Sequence, residues 1–250
     1  MRVLAALAVS IALAACSGET DASAQGEPDG ALDRARVEEI VRSYILDNPE
    51  IIEEALIELQ RRAREQEQDQ ITGAVTANAD RLTGDARNPV AGAENPKVTV
   101  VEFFDYRCPY CTVTNEWIQD VLEEHGDEVQ VVFKEFPVRG AQSEEAARAA
   151  LAVWNLEPEA YLPFHNALIT ATGPLPSARI DDLAREAGVD PQAMREQMDS
   201  DAVTGHLADI RDLATEIGVR GTPFFVVGDQ VIPGADMAAL QRALDEELAG

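Results

Sequence analysis

Val98-Thr99-Val100-Val101-Glu102-Phe103-Phe104-Asp105-Tyr106-Arg107-Cys108-Pro109-Tyr110-Cys111 carries two patterns in succession. Val98 to Phe104 is rich in β-branched and aromatic residues, as a buried strand is. Cys108 to Glu124 then reads as a helix, with Val113, Trp117 and Val121 at four-residue spacing. A second apolar run, Val129 to Phe133, follows. Strand, helix and strand in this order predict a parallel βαβ unit with a right-handed crossover.

The cysteines sit where that helix begins. Unpaired backbone N–H groups and the positive end of the helix dipole face the sulfur of a residue there. They favour thiolate, so the Cys108 pKa is expected below the free value of about 8.5. Pro109 suits the first helical position because it needs no hydrogen-bond partner. Cys111 lies about one turn further in and is expected to be shielded. Cys108 is thus read as the attacking nucleophile and Cys111 as the resolving thiol. The redox group is their own disulfide, with no separate cofactor.

Other readings of C-x-x-C are a half zinc site and a Cu(I) dithiol. Structural zinc takes four ligands. No second C-x-x-C exists, and His125, His165 and His206 form no ligand-spaced pair. Each histidine reads as a core or surface residue, and no metal ligand is assigned. Two close thiols do suit Cu(I), which stays open as an alternative function.

Glu102 interrupts an apolar strand six residues before Cys108. A buried acid needs a partner, and Lys134, at the end of the next strand, is the expected one. Burial raises the pKa of such an acid and a neighbouring ammonium lowers it. Arg107 has two readings, thiolate stabiliser or solvated side chain.

Working outward, the chain of 250 residues has 46 acids against 20 bases and a net charge of -26. It has two lysines, Lys97 and Lys134, and no basic cluster, which excludes phosphate-backbone binding and so nucleic-acid partners. Met1-Arg2 and the apolar run Val3 to Ala15 read as a signal peptide, too short to span a membrane. The run ends in Leu13-Ala14-Ala15-Cys16, which resembles a bacterial lipobox. Residues 1–16 are therefore read as a lipoprotein signal. The expected location is the periplasm or cell envelope, lipid-anchored through Cys16. The alternative is a soluble periplasmic protein cleaved after Ala22-Ser23-Ala24. Export implies a compartment where disulfides persist.

Residues 17–32 read as a flexible tether. Residues 33–70 read as helical. Val37, Ile40, Val41, Tyr44 and Ile45 make one stripe, and Ile52, Ala55, Leu56 and Leu59 another. Asn48 is expected to cap the second helix, with Pro49 in its first turn. The stripes need a partner, either the same domain or a second copy of the chain, so Val37–Gln70 is a candidate oligomerisation segment. Residues 71–95 read as a linker with scattered Gly and Pro. Residues 96–250 form the main domain. A mostly helical insertion spans about 141–205. Two short strands, Phe224 to Val227 and Gln230 to Ile232, flank a Gly228-Asp229 hairpin turn. A closing helix, Asp236 to Leu248, ends the chain.

Glu102 to Cys111 resembles the active-site segment of DsbA-family proteins of the thioredoxin superfamily. Gly218-Val219-Arg220-Gly221-Thr222-Pro223-Phe224-Phe225 resembles that family's cis-proline loop, with Pro223 as the cis residue. The resemblance implies an α/β thioredoxin fold with a helical insertion, preceded by an N-terminal helical extension. It implies a thiol–disulfide oxidoreductase or disulfide isomerase acting on thiols and disulfides of exported proteins. It also implies a membrane redox partner of DsbB or DsbD type. Thr222 would pair with an extended substrate strand and hydrogen-bond near the sulfurs. Glu102 would move protons to and from the buried cysteine, and Tyr110 would tune the potential. Val37 to Leu59, with Asn48-Pro49-Glu50-Ile51, resembles the extension of ScsC-like proteins. Some of these oligomerise through it and act as isomerases. A purely oxidising enzyme is the alternative within this class.

Overall fold

The computed structural model describes residues 33–250. The stretches read as a signal peptide and a tether, with Cys16 and Ala22-Ser23-Ala24, lie outside the described residues. Among the described residues, those up to Glu58 belong to one compact unit and Leu59–Gly250 form the other.

The first unit holds α1 (Arg34–Asp47) and the start of α2 (Glu50–Ala77). Asp33 caps α1, accepting from the Ala35 amide. The apolar stripes are present but uncovered: Ile40, Val41, Tyr44, Leu46, Ile52 and Leu56 are all exposed. Asn48 does not cap α2 as expected. Its amide donates to the Tyr44 carbonyl at 2.9 Å, closing the end of α1 instead.

The second unit is built on a five-stranded sheet of order β1-β3-β2-β4-β5. The strands are β1 (Val90–Gly92), β2 (Val98–Phe104), β3 (Val129–Glu135), β4 (Phe224–Val227) and β5 (Gln230–Pro233). β2 and β3 run parallel, joined through α4 (Pro109–His125), as the strand–helix–strand pattern requires. β4 pairs antiparallel with both β2 and β5. The 71–95 stretch is not a plain linker. It carries the end of α2, then α3 (Ala79–Thr83), then β1 paired with β3. Val75 and Leu82 are buried there, so these apolar residues anchor the segment despite its glycines.

Alternation along the strands makes two cores. Val98, Val100 and Phe104 of β2, with Val129, Val131 and Phe133 of β3, face one side. There they meet Trp117, Ile118 and Val121 of α4, helices of the insertion, and Leu240 and Leu244 of α10 (Met237–Ala249). Val101, Phe103 and Val132 face the other side, against Val75, Leu82 and α9 (Asp201–Glu216). Each fully buried side chain of this size contributes about 1.5–3 kcal/mol. Of the expected α4 stripe, Trp117 and Val121 are buried and Val113 is exposed, and Thr114 and Ile118 join the inward face.

The insertion comprises α5 (Ala141–Leu156), α6 (Pro158–Ile169), α7 (Ser177–Glu186) and α8 (Pro191–Met198). No helix among the described residues is long and apolar enough to cross a membrane.

Candidate active site

Cys108 is the N-cap of α4, in extended conformation (φ -88°, ψ 114°), and Pro109 occupies the first turn. The Cys108 amide donates to the Asp105 carbonyl at 2.9 Å, and the Cys111 amide to the Cys108 carbonyl at 3.0 Å. Both cysteines are free thiols and both are buried.

The loop before them is held by Asp105, a residue the sequence reading passed over. One carboxylate oxygen accepts from the Arg107 amide and the Ser143 hydroxyl, both at 2.7 Å. The other accepts from the amides of Val138 (2.7 Å) and Arg139 (2.9 Å). The Arg107 bond closes the cysteine loop on itself, and the other three tie it to the segment that opens α5.

Across from Cys108 runs the loop before β4. The Thr222–Pro223 bond is cis, as the motif implied. The Cys108 thiol donates to the Thr222 carbonyl at 3.2 Å. The Thr222 hydroxyl is buried and without a hydrogen-bond partner in this arrangement. It is placed to donate to a thiolate.

The two thiols are pushed apart in acidity. The Cys111 thiol, hydrogen-bonded to Cys108, pulls the Cys108 pKa down to about 5, and the Thr222 hydroxyl and the Cys111 and Tyr110 amides add to this. Burial drives Cys111 the other way, well above the free value, helped by its hydrogen bond to Cys108 and by the Glu102 charge. These opposed shifts favour thiolate at Cys108 and thiol at Cys111.

Glu102 is buried beneath this pair. Burial raises its pKa to about 8, opposed by a hydrogen bond from the Thr114 hydroxyl at 3.0 Å. The expected Glu102–Lys134 pair is absent. Register places Glu102 opposite Phe133, and Phe103 opposite Lys134. The two side chains therefore leave the sheet on opposite faces. The Lys134 ammonium donates to the Arg81 carbonyl at 2.7 Å, and burial lowers its pKa to about 7. Arg107 contacts Gln142. Tyr110 stands between the cysteines with 64% of its surface exposed.

A polar cluster missed in the sequence lies on the Glu102 face of the sheet. Glu135 accepts from the hydroxyls of Tyr106 (3.0 Å) and Tyr161 (3.1 Å). The Tyr106 hydroxyl also meets His165 Nδ1 at 3.1 Å. Burial holds the Glu135 pKa well above the usual carboxylate range and lowers His165 to about 3. His165 is thus a neutral core histidine.

Residues 99–245 match the model of the DSBA-like thioredoxin domain. The chain belongs to the DSBA-like thioredoxin family. Residues 33–66 match the N-terminal domain of the copper resistance protein ScsC, so this DSBA-like protein also carries a ScsC-type extension. It is 31% identical over 173 residues to disulfide bond formation protein D of Bacillus subtilis, covering 65% of this chain and 78% of that protein. Among solved structures it resembles a linker-deleted mutant of Proteus mirabilis ScsC. That match has 32% identity and a TM-score of 0.66, and covers 88% of this chain and 99% of the other. A thioredoxin-like oxidoreductase from Silicibacter pomeroyi is 38% identical, with a TM-score of 0.63, over 68% of this chain and 98% of that one. The family is one of thiol–disulfide oxidoreductases.

Proposed function

We propose that this protein exchanges disulfides with exported polypeptides, with Cys108 as nucleophile and Cys111 as resolving thiol. One observation carries the reading: Cys108 caps α4 with its sulfur 3.2 Å from the Thr222 carbonyl of the cis-proline loop, beside a buried Cys111 whose acidity is pushed the opposite way. In the oxidising direction, a substrate thiolate attacks the Cys108 sulfur of the Cys108–Cys111 disulfide, and Cys111 leaves and takes up a proton. A second substrate thiolate then attacks the mixed disulfide, and Cys108 leaves as a stable thiolate. Two electrons pass from the substrate dithiol to the protein. In the isomerising direction, Cys108 thiolate attacks a wrong substrate disulfide, and a different substrate thiolate later displaces it.

Glu102 supports both directions as proton donor and acceptor for Cys111, since its charge is felt there and its pKa of about 8 lies close to working pH. Thr222 and Pro223 shape the surface on which the substrate backbone is laid beside the sulfur.

The ScsC-type extension and its exposed apolar stripes support a homo-oligomer joined through Val37–Gln70. Several exchange sites in one assembly favour isomerisation over simple oxidation. The protein works in the periplasm or cell envelope, held by lipid on Cys16, and a DsbB- or DsbD-type membrane protein resets its redox state. Refolding of a scrambled disulfide substrate, without added oxidant, tests the isomerase reading. Recovery of substrate activity supports it. Full recovery with Cys108→Ser overturns the mechanism.

The match to a copper resistance protein's N-terminal domain favours one second reading, Cu(I) held by the reduced Cys108–Cys111 pair. Anaerobic Cu(I) titration of the reduced protein tests it, and no dithiol-dependent binding removes it.

A further inference from the structure

We propose that the second half of α2 forms one wall of the substrate groove and selects polypeptides with an acidic side chain beside an apolar one near the reacting cysteine. This rests on the exchange reading above and adds the substrate class to it.

A cavity of about 430 Å³ lies between α2 and the cis-proline loop. Arg64, Glu67 and Ile71 bound it on one side, Arg220, Thr222 and Pro223 on the other. Its size falls in the range, about 300–1,000 Å³, of pockets that enclose a small-molecule ligand, enough for one or two side chains. Thr222 belongs both to this cavity and to the exchange site, because its carbonyl accepts from the Cys108 thiol. A strand laid along Thr222 with its cysteine at Cys108 therefore continues into the cavity.

The lining specifies what enters. Ile71, Pro223, Phe224 and Pro233 present carbon, which suits a bulky apolar side chain. The rim is charged. Arg220 is 81% exposed and pairs with Glu67 at 2.7 Å. Arg64 adds a second guanidinium beside them. Glu216 stands beside Glu67 and Arg220 but is paired with Arg81, so three guanidiniums meet two carboxylates and leave a local positive excess, on a chain whose net charge is -26. The whole molecule draws basic peptides, while this rim draws a carboxylate. Arginine also suits the task geometrically, since its planar fork meets a carboxylate with two parallel hydrogen bonds. Glu67 occupies Arg220 when the groove is empty and competes with the incoming acid. None of these α2 residues lies within the DSBA-like segment, 99–245, so selectivity is supplied by a helix outside it.

The test uses the full chain, oxidised, and two reduced dicysteine peptides of equal length. Both carry Leu beside the first cysteine; one has Asp next to it and the other Lys. Single-turnover reduction is followed by rapid acid quench and mass measurement of the oxidised peptide. The Asp peptide is expected to react about ten-fold faster at low salt, approaching parity above about 0.5 M salt, as screening removes rim contacts. Arg64→Ala with Arg220→Ala is expected to bring the ratio to one or below, because only the net charge remains. Glu67→Gln is expected to raise the ratio above that of the unaltered chain. Equal rates in the unaltered protein, or a ratio that survives the double substitution, overturn the groove assignment and leave the exchange reading standing. If neither peptide reduces the Cys108–Cys111 disulfide, the exchange reading itself falls and takes this proposal with it.

Discussion

Replacing Cys108 with Ser tests the physical basis of the site, because serine keeps the contacts and cannot ionise. The reduced protein holds Cys108 at a pKa of about 5, against 9.0 for a free thiol. A depressed pKa contributes stability that is full above the unfolded value and lost as pH falls through the folded one. At pH 7 the contribution is roughly 2–3 kcal/mol, at pH 5 a small fraction of that, and at pH 4 essentially nothing. Glu102, raised to about 8 by burial and in part by the Cys108 charge, carries its own pH-dependent cost, so the comparison is repeated with Glu102→Gln in both proteins to remove it. Guanidinium unfolding of the reduced protein and of the reduced Cys108→Ser variant, at pH 7 and pH 4, isolates the term. The variant should be less stable by about 2–3 kcal/mol more at pH 7 than at pH 4. The same term makes the disulfide easier to reduce by about 60 mV at pH 7. An equal difference between the two proteins at both pH values would refute a stabilised thiolate.

Glu102→Gln is expected to slow release of the mixed disulfide by Cys111 about 10² to 10⁴-fold at neutral pH. Initial attack by Cys108 should change little, as stopped-flow fluorescence would show. A raised carboxyl pKa is a cost above the unfolded value of 4.5, so the same variant should gain about 3 kcal/mol in a denaturant titration at pH 7, a gain absent below pH 4. Asp105→Ala removes four hydrogen bonds to a buried carboxylate and should cost at least about 3 kcal/mol, read as a lowered unfolding midpoint. Ile40→Glu with Leu56→Glu should reduce the solution mass to that of one chain in light scattering, with the Cys108 pKa unchanged. Gly92→Ala should destabilise the unit by about 2 kcal/mol or more. Its φ is +98°, and a Cβ there would lie 2.2 Å from the Val129 carbonyl oxygen.

The sheet centre and the cysteine helix were legible because local signals agreed. β2 begins and ends at Val98 and Phe104, as its apolar run does. The cis bond at Pro223 came from the motif, not from spacing. The partner of Glu102 was misread because sequence separation does not fix register, and one residue of register moves Lys134 to the other face. The 71–95 stretch was misread because glycines spaced through it resemble loop punctuation. Gly73 is tolerated inside α2 because a helix interior admits glycine at a cost of about 1 kcal/mol. Asp105 and the Glu135 cluster left no trace in composition, since their partners, such as Ser143 and His165, lie far along the chain.

The Asp105 bonds to Val138, Arg139 and Ser143 have a consequence for chimeras. The helical insertion looks like a cassette that could be exchanged between relatives at its ends. The true seam lies earlier, before Val138, because that short run holds the floor under the nucleophile. A graft cut at Ala141 that brings a residue other than Ser to position 143 would strip a donor from the Asp105 carboxylate and loosen the Cys108 loop. A graft that carries 138–143 along with the donor's own Asp keeps the loop intact, so inheritance of the insertion and of the nucleophile's setting goes together.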